Sequence, residues 1–171
     1  MSGFAIKDWA FAKRFLLTAA SCGEYFFRTM TERAKIAEIC ATPYGYGVFV
    51  QAVSKTFMFY VDRDRGIALQ NAMAGFRSVR PLSHEFMVQV LDGFDCKIRN
   101  AVFYHVENGT FFTRITIDMK NELGVKIAEI DGRPSDTLAL ALRVGAPIFV
   151  EQKVLDAVDD VSETLRKFRE K

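Results

Sequence analysis

The stretch Glu129–Val150, E-I-D-G-R-P-S-D-T-L-A-L-A-L-R-V-G-A-P-I-F-V, reads as a strand, a polar corner and a buried helix in one unit. The strand ends at Asp131 and the chain turns through Gly132, Arg133 and Pro134 before Ser135 and Asp136 open a helix that Gly145 closes. Pro134 biases Arg133 away from the helical region, Ser135 is placed to cap orphan N–H groups, and Asp136 sits where the positive end of the helix dipole favours an anion. From Leu138 to Leu142 no face of the helix is polar, so it should be covered on most sides. Asp131, Arg133, Ser135 and Asp136 are thereby held at the rim of a rigid core. Such a rim suits chemistry, and it is equally how a helix starts.

Outward from this unit, 171 residues suit a single domain with a real core. Half the residues are hydrophobic and sixteen are phenylalanine, a composition of packed chains rather than disordered ones. The net charge of only +2 argues mildly against coating nucleic acid through its phosphates. Arg63, Arg65, Arg77 and Arg80 form a local basic group, partly cancelled by Asp62 and Asp64. Cys22, Cys40 and Cys96 lack the paired spacing of a zinc site and read as buried thiols in a reducing, cytoplasmic compartment.

Residues 1–33 differ in composition and are expected to form a helical extension, or to be partly excluded if translation starts at Met30. Their apolar run Phe15 to Ala20 is too short to cross a bilayer, and Asp8 and Trp9 interrupt what a secretory signal would need. From Ala34 to Val61, short apolar runs broken by Pro43, Gly45 and Gly47 read as two or three antiparallel strands. A helix is expected from Gly66 to Ala74, and a second from about Leu82 to Phe94 with Leu82, Phe86, Val90, Leu91 and Phe94 on one face. Asn108-Gly109 joins two strands as a tight hairpin, because both turn positions tolerate positive φ. Val125 to Ile130 and Pro147 to Val150 are further strands, and one long helix is expected from about Glu151 to Phe168. Its apolar stripe reads as core packing or, alternatively, as a dimer seam. The fold class is α+β: an antiparallel or mixed sheet with packed helices, built from two similar strand–helix halves.

Arg-Pro occurs twice before a helix, at Arg80-Pro81 and Arg133-Pro134, with His84 and Glu85 following the first and Asp136 the second. Proline in a first helical turn accounts for the repeat on structural grounds alone. Placed side by side, the two corners would gather two guanidinium groups, an imidazole and several carboxylates.

The motifs R-P-L-S-H-E at Arg80–Glu85 and I-D-G-R-P-S-D-T-L-A-L-A-L-R-V-G-A-P-I-F-V at Ile130–Val150, with the hairpin between them, resemble the bifunctional nuclease family. The resemblance covers roughly residues 34–158 and implies a small α+β domain, of a kind found in bacteria and plants, acting on both DNA and RNA. It leaves residues 1–33 and the end of the last helix, residues 159–171, outside. In the first half the family shows an apolar strand ending in isoleucine-glycine and a glutamate-alanine pair opening a helix. Here Val61-Asp62 and Arg65-Gly66 stand at those places, so roles tied to that glycine and glutamate do not transfer.

Phosphodiester hydrolysis needs an activated nucleophile, charge neutralisation on the phosphoryl oxygens and help for the leaving oxygen. One recipe uses magnesium or manganese on Asp131, Asp136 and Glu129, with Glu85 as a further carboxylate and Arg80, Arg133 and Ser135 binding phosphate. Asp131 and Glu129, two apart on a strand, point to one face. The other recipe is metal-free, with His84 as general acid or base. The metal recipe is favoured slightly because DNA lacks the 2′-hydroxyl. Each residue also has a structural role available: Asp136 as a helix-start carboxylate, His84 as a solvated or capping group, and the arginines as partners of Asp131 and Glu85. His105, within an apolar strand, reads as a half-buried structural residue. A non-catalytic regulatory or interaction module is the alternative reading, and a homodimer is a separate expectation.

Overall fold

The computed structural model describes residues 31–122 and 124–170. The expectations for residues 1–30, including Cys22 and a start at Met30, lie outside the described residues. The described chain runs through β1 (Thr31–Thr42), β2 (Gly45–Gln51), β3 (Thr56–Val61), α1 (Arg63–Met73), α2 (Ser83–Gly93), β4 (Cys96–Glu107), β5 (Thr110–Asn121), β6 (Gly124–Gly132), α3 (Pro134–Val144), β7 (Ile148–Glu151), α4 (Gln152–Ala157) and α5 (Ser162–Arg169). The strands form one sheet in the order β3-β2-β1-β7-β4-β5-β6, antiparallel throughout except for the parallel β4–β7 pair. The fold is thus α+β with a mixed sheet. Residues 31–33, expected to end a helical extension, instead begin β1.

Two meanders, β1-β2-β3 and β4-β5-β6, are each followed by a helix, α1 and α3, and the two helices pack against each other. β1 serves both: its first residues pair with β7 and the rest with β2, the register shifting between Ile36 and Glu38. A shift of this kind bends a strand and raises its twist. The bend lets β3 face β4 and β5, where Phe57 stacks on Phe111 at 5.2 Å and meets the edge of Phe103 at 5.3 Å. Phe59 closes the cluster, 6.0 Å from Phe103 and 5.8 Å from Phe111.

The apolar helix read from Leu138 to Leu142 is α3, with Leu138, Ala139, Leu140 and Ala141 buried over this core. Gly145 ends it in the left-handed conformation at φ 69°, as the sequence suggested. Asn108 and Gly109 make the hairpin with φ of 49° and 75°.

The single long C-terminal helix is corrected to two. After α4 the chain extends at Val158, and Asp160 accepts hydrogen bonds from the Thr56 N–H at 3.1 Å, the Ser162 N–H at 3.0 Å and the Ser162 hydroxyl at 2.6 Å. Those bonds, led by the Ser162 hydroxyl, hold the Asp160 carboxyl below the usual carboxylate range. They also anchor α5, whose Leu165 packs with Ala37 and Phe49 on the outer side of β1 and β2. Cys40 and Cys96 are free and only half-buried, not the buried thiols expected. His105 is exposed rather than half-buried. No described helix is long and apolar enough to cross a membrane.

Candidate active site

The corner after β6 is locked by hydroxyls. Thr113 donates to the Gly132 carbonyl at 2.6 Å and shares a 2.8 Å hydrogen bond with Thr137 in the first turn of α3. A side chain at Gly132 would have its Cβ 2.8 Å from the Thr137 methyl, so the close approach of strand to helix needs glycine. Arg133 is the extended N-cap and Pro134 the first helical residue. Ser135, expected to cap, falls one residue further in and is buried, so its hydroxyl does not line an open phosphate site.

On this scaffold Asp136 projects from the first turn of α3. One carboxylate oxygen accepts from the Arg133 Nε at 2.7 Å, and the other lies 3.3 Å from His84 Nε2 in the first turn of α2. The two Arg-Pro corners therefore meet, through a histidine and an aspartate 52 residues apart. They do not occupy equivalent stations: in the first half the counterpart of Arg133-Pro134 is Asp62-Arg63, between β3 and α1, whereas Arg80-Pro81 leads into the connecting helix α2. His84 is largely shielded, Asp136 is partly open and the Arg133 side chain is 62% exposed. The arrangement offers an imidazole steadied by a carboxylate, with a solvent-facing guanidinium beside it and two helix N-termini that favour negative charge.

The other residues named from the sequence go elsewhere. Asp131 accepts from the Tyr104 hydroxyl at 2.9 Å, and Tyr104 lies under the Arg114 guanidinium, 5.1 Å from ring centroid to Cζ. Burial first, and then the hydrogen bond to Asp131, push the Tyr104 phenol up. Glu129 pairs with Arg114 at 3.4 Å, and Arg114 also binds the buried Glu151 at 2.9 Å. Asp131 and Glu129 do share a face, but that face is organised around Arg114. A divalent cation bound by Asp131, Glu129 and Asp136 would need three carboxylates turned to one point. Among the described residues no group of three or more histidines, cysteines, aspartates or glutamates is so arranged, so Asp131, Glu129 and Asp136 do not form one three-carboxylate site.

Glu85 is a structural anchor. It accepts from the Leu82 N–H at 2.8 Å, the reciprocal half of a capping box, and pairs with Arg143 at 2.8 Å. Arg143 also donates to the Phe76 carbonyl at 3.1 Å, so the pair ties the segment before α2 to the end of α3. The partner of Glu85 is thus Arg143 and not Arg80, which stands exposed on the surface. The Leu82 N–H first, with Arg143 adding to it, holds the Glu85 carboxyl below the usual carboxylate range. A depressed folded-state pKa contributes stability that is full above the unfolded value and is lost as pH falls through the folded one. Glu85→Gln is therefore expected to flatten the acid side of the stability profile while changing stability little in its slope near neutrality. Urea midpoints from neutral to strongly acidic pH check this; an acid limb identical to wild type would refute it.

Arg143, Tyr104 and Arg114 were not singled out from the sequence. Arg143 had one visible signal, as the lone charged side chain at the end of an apolar helix. Two surface cavities, of about 440 and 270 Å³, lie at the β1–β2 turn and beside α5, and neither is lined by the Asp136 corner.

Comparison with known proteins accords with this architecture. An uncharacterized protein of Mycobacterium tuberculosis, present in two strains, is 27% identical over 96 residues, which cover 56% of this chain and 54% of the relative. The chain thus spans about half the length of the curated relatives it matches. The model of the bifunctional nuclease domain matches residues 50–163, a span that takes in both Arg-Pro corners, the hairpin and α3, and the chain belongs to that family.

Proposed function

We propose that the chain is a nuclease that cleaves phosphodiester bonds in DNA and RNA at the corner formed by His84, Asp136 and Arg133. The observation that carries the reading is the contact of His84 with Asp136 at 3.3 Å, which joins two separate helix starts beside an exposed guanidinium. His84 takes the proton of the attacking oxygen, the 2′-hydroxyl in RNA or a water in DNA. That oxygen forms the new bond to phosphorus as the bond to the leaving oxygen breaks, and solvent protonates the leaving oxygen. Asp136 orients the imidazole, and Arg133 holds the phosphoryl oxygens. No step is assigned to a metal, since Asp131 is bonded to Tyr104, Glu129 is paired with Arg114, and Asp136 is engaged by His84 and Arg133.

The test is cleavage of labelled single-stranded DNA, double-stranded DNA and RNA by purified protein in magnesium, manganese and chelator, beside Asp131→Ala. The expected result is RNA cleavage that survives chelation and survives Asp131→Ala. Cleavage that vanishes in chelator and in a folded Asp131→Ala protein would replace this reading with the metal recipe. The exposed apolar side of α2 favours a second reading, a non-catalytic interaction module. Absence of cleavage in every arm would select it.

A further inference from the structure

Helix α2 is apolar in sequence, yet none of its residues is buried. Its inner side is accounted for by His84, Glu85, Val88 and Leu91, which face α3 and the core. Its outer side carries Leu82, Phe86, Met87, Val90 and Phe94, exposed by 46%, 61%, 46%, 39% and 71%. At about 150–250 Å² for a whole aromatic side chain, these five expose on the order of 500 Å². That matches the largest patch of a typical monomer and is more than half of the roughly 800 Å² that each partner gives to a standard interface. A helix with apolar residues on both sides is normally covered on both.

We propose that this side of α2 is the interface of a homodimer in which α2 packs antiparallel on α2 of a second copy. Leu82, Phe86, Val90 and Phe94 follow each other at steps of four and make one continuous ridge. Ridges of that spacing interdigitate with their own kind at a crossing angle of about −50°. A two-fold axis requires a surface that complements itself. Charge supplies that complement: exposed Arg77 and Arg80 stand just before the helix, while exposed Asp95 and Asp92, the latter also bonded to Lys97 at 3.2 Å, stand at its far end, and its last turn holds no basic residue. Antiparallel pairing sets the basic end of each copy beside the acidic end of the other, and opposes the two helix dipoles. Between the ends the ridge carries no charge to desolvate.

The test is the mass of the full chain by light scattering and sedimentation from submicromolar to submillimolar concentration. The expected species is a reversible dimer of twice the 19.4 kDa of one chain. Phe86→Glu/Val90→Glu should be monomeric with an unchanged circular dichroism spectrum, while Val53→Glu, at a still more exposed apolar position on another surface, should remain dimeric. Arg77→Glu/Arg80→Glu should weaken the dimer at least tenfold, as should Asp92→Lys/Asp95→Asn, and mixing the two variants should restore a heterodimer. A wild-type monomer at every concentration would overturn the proposal. So would a dimer that the α2 substitutions leave intact, or charge variants that fail to complement each other.

Discussion

Phe103→Ala is expected to destabilise the protein by about 3–5 kcal/mol, the usual cost of removing a fully buried phenylalanine. Phe103 is wholly buried, and it contacts Phe57, Phe59 and Phe111, at 5.3, 6.0 and 6.1 Å. These rings come from β3, β4 and β5, which are not all neighbours in the sheet, so the cluster adds to the β1–β7 pairing and the α1–α3 contact in holding the bent β1-β2-β3 meander against the second one. The loss combines transfer of the ring to water with the cavity left among three rings that cannot all follow it. Against a total stability of about 5–15 kcal/mol, this is a large share. For a chain of this length the melting temperature should fall by roughly 6–20 °C. Calorimetry or urea unfolding measures it, with Val53→Ala, at a position 83% exposed, as a control expected within about 0.5 kcal/mol of wild type. A Phe103→Ala protein as stable as that control would mean the two meanders are held together elsewhere.

Structure that is specified within a few residues was legible in the sequence. Asn108-Gly109 needs only its own φ preferences to turn, and the helix from Leu138 needs only its apolar run and Gly145 to be placed and ended. The break in the C-terminal helix combines local bonds, from the Ser162 N–H and hydroxyl to Asp160, with a remote one that spacing could not show, from the Thr56 N–H across 104 residues. The Glu85–Arg143 pair spans 58 residues and was likewise out of reach of spacing arguments. Amphipathic spacing placed α2 correctly as a helix, but could not tell a side that meets the core from one that meets solvent or another chain. In the candidate site, the meeting of the two Arg-Pro corners was foreseeable as a juxtaposition of similar motifs. Its composition was not, because Tyr104 on β4 and Arg114 on β5 draw Asp131 and Glu129 away through strand pairing that no local motif encodes.

His84→Ala is expected to lower the rate of cleavage by about 10²–10⁴, the range supplied by a positioned general acid or base. The fall should appear in kcat, because the imidazole acts on the reacting proton and adds little to binding. Arg133→Ala should instead raise KM, since its exposed guanidinium meets the phosphoryl oxygens; Arg133→Lys should recover only part of the loss, because a lysine cannot grip two oxygens at once. Asp136→Asn separates a positioning role from a merely structural one. It keeps the shape of the first turn of α3 while removing the charge that faces both His84 and Arg133. Under the present reading it lowers kcat without lowering the melting temperature by more than a few degrees. Circular dichroism and thermal melts of each variant guard against confusing lost folding with lost chemistry. If folded His84→Ala cleaves RNA as fast as wild type, the imidazole at this corner is a helix-start partner of Asp136 and the chemistry lies elsewhere.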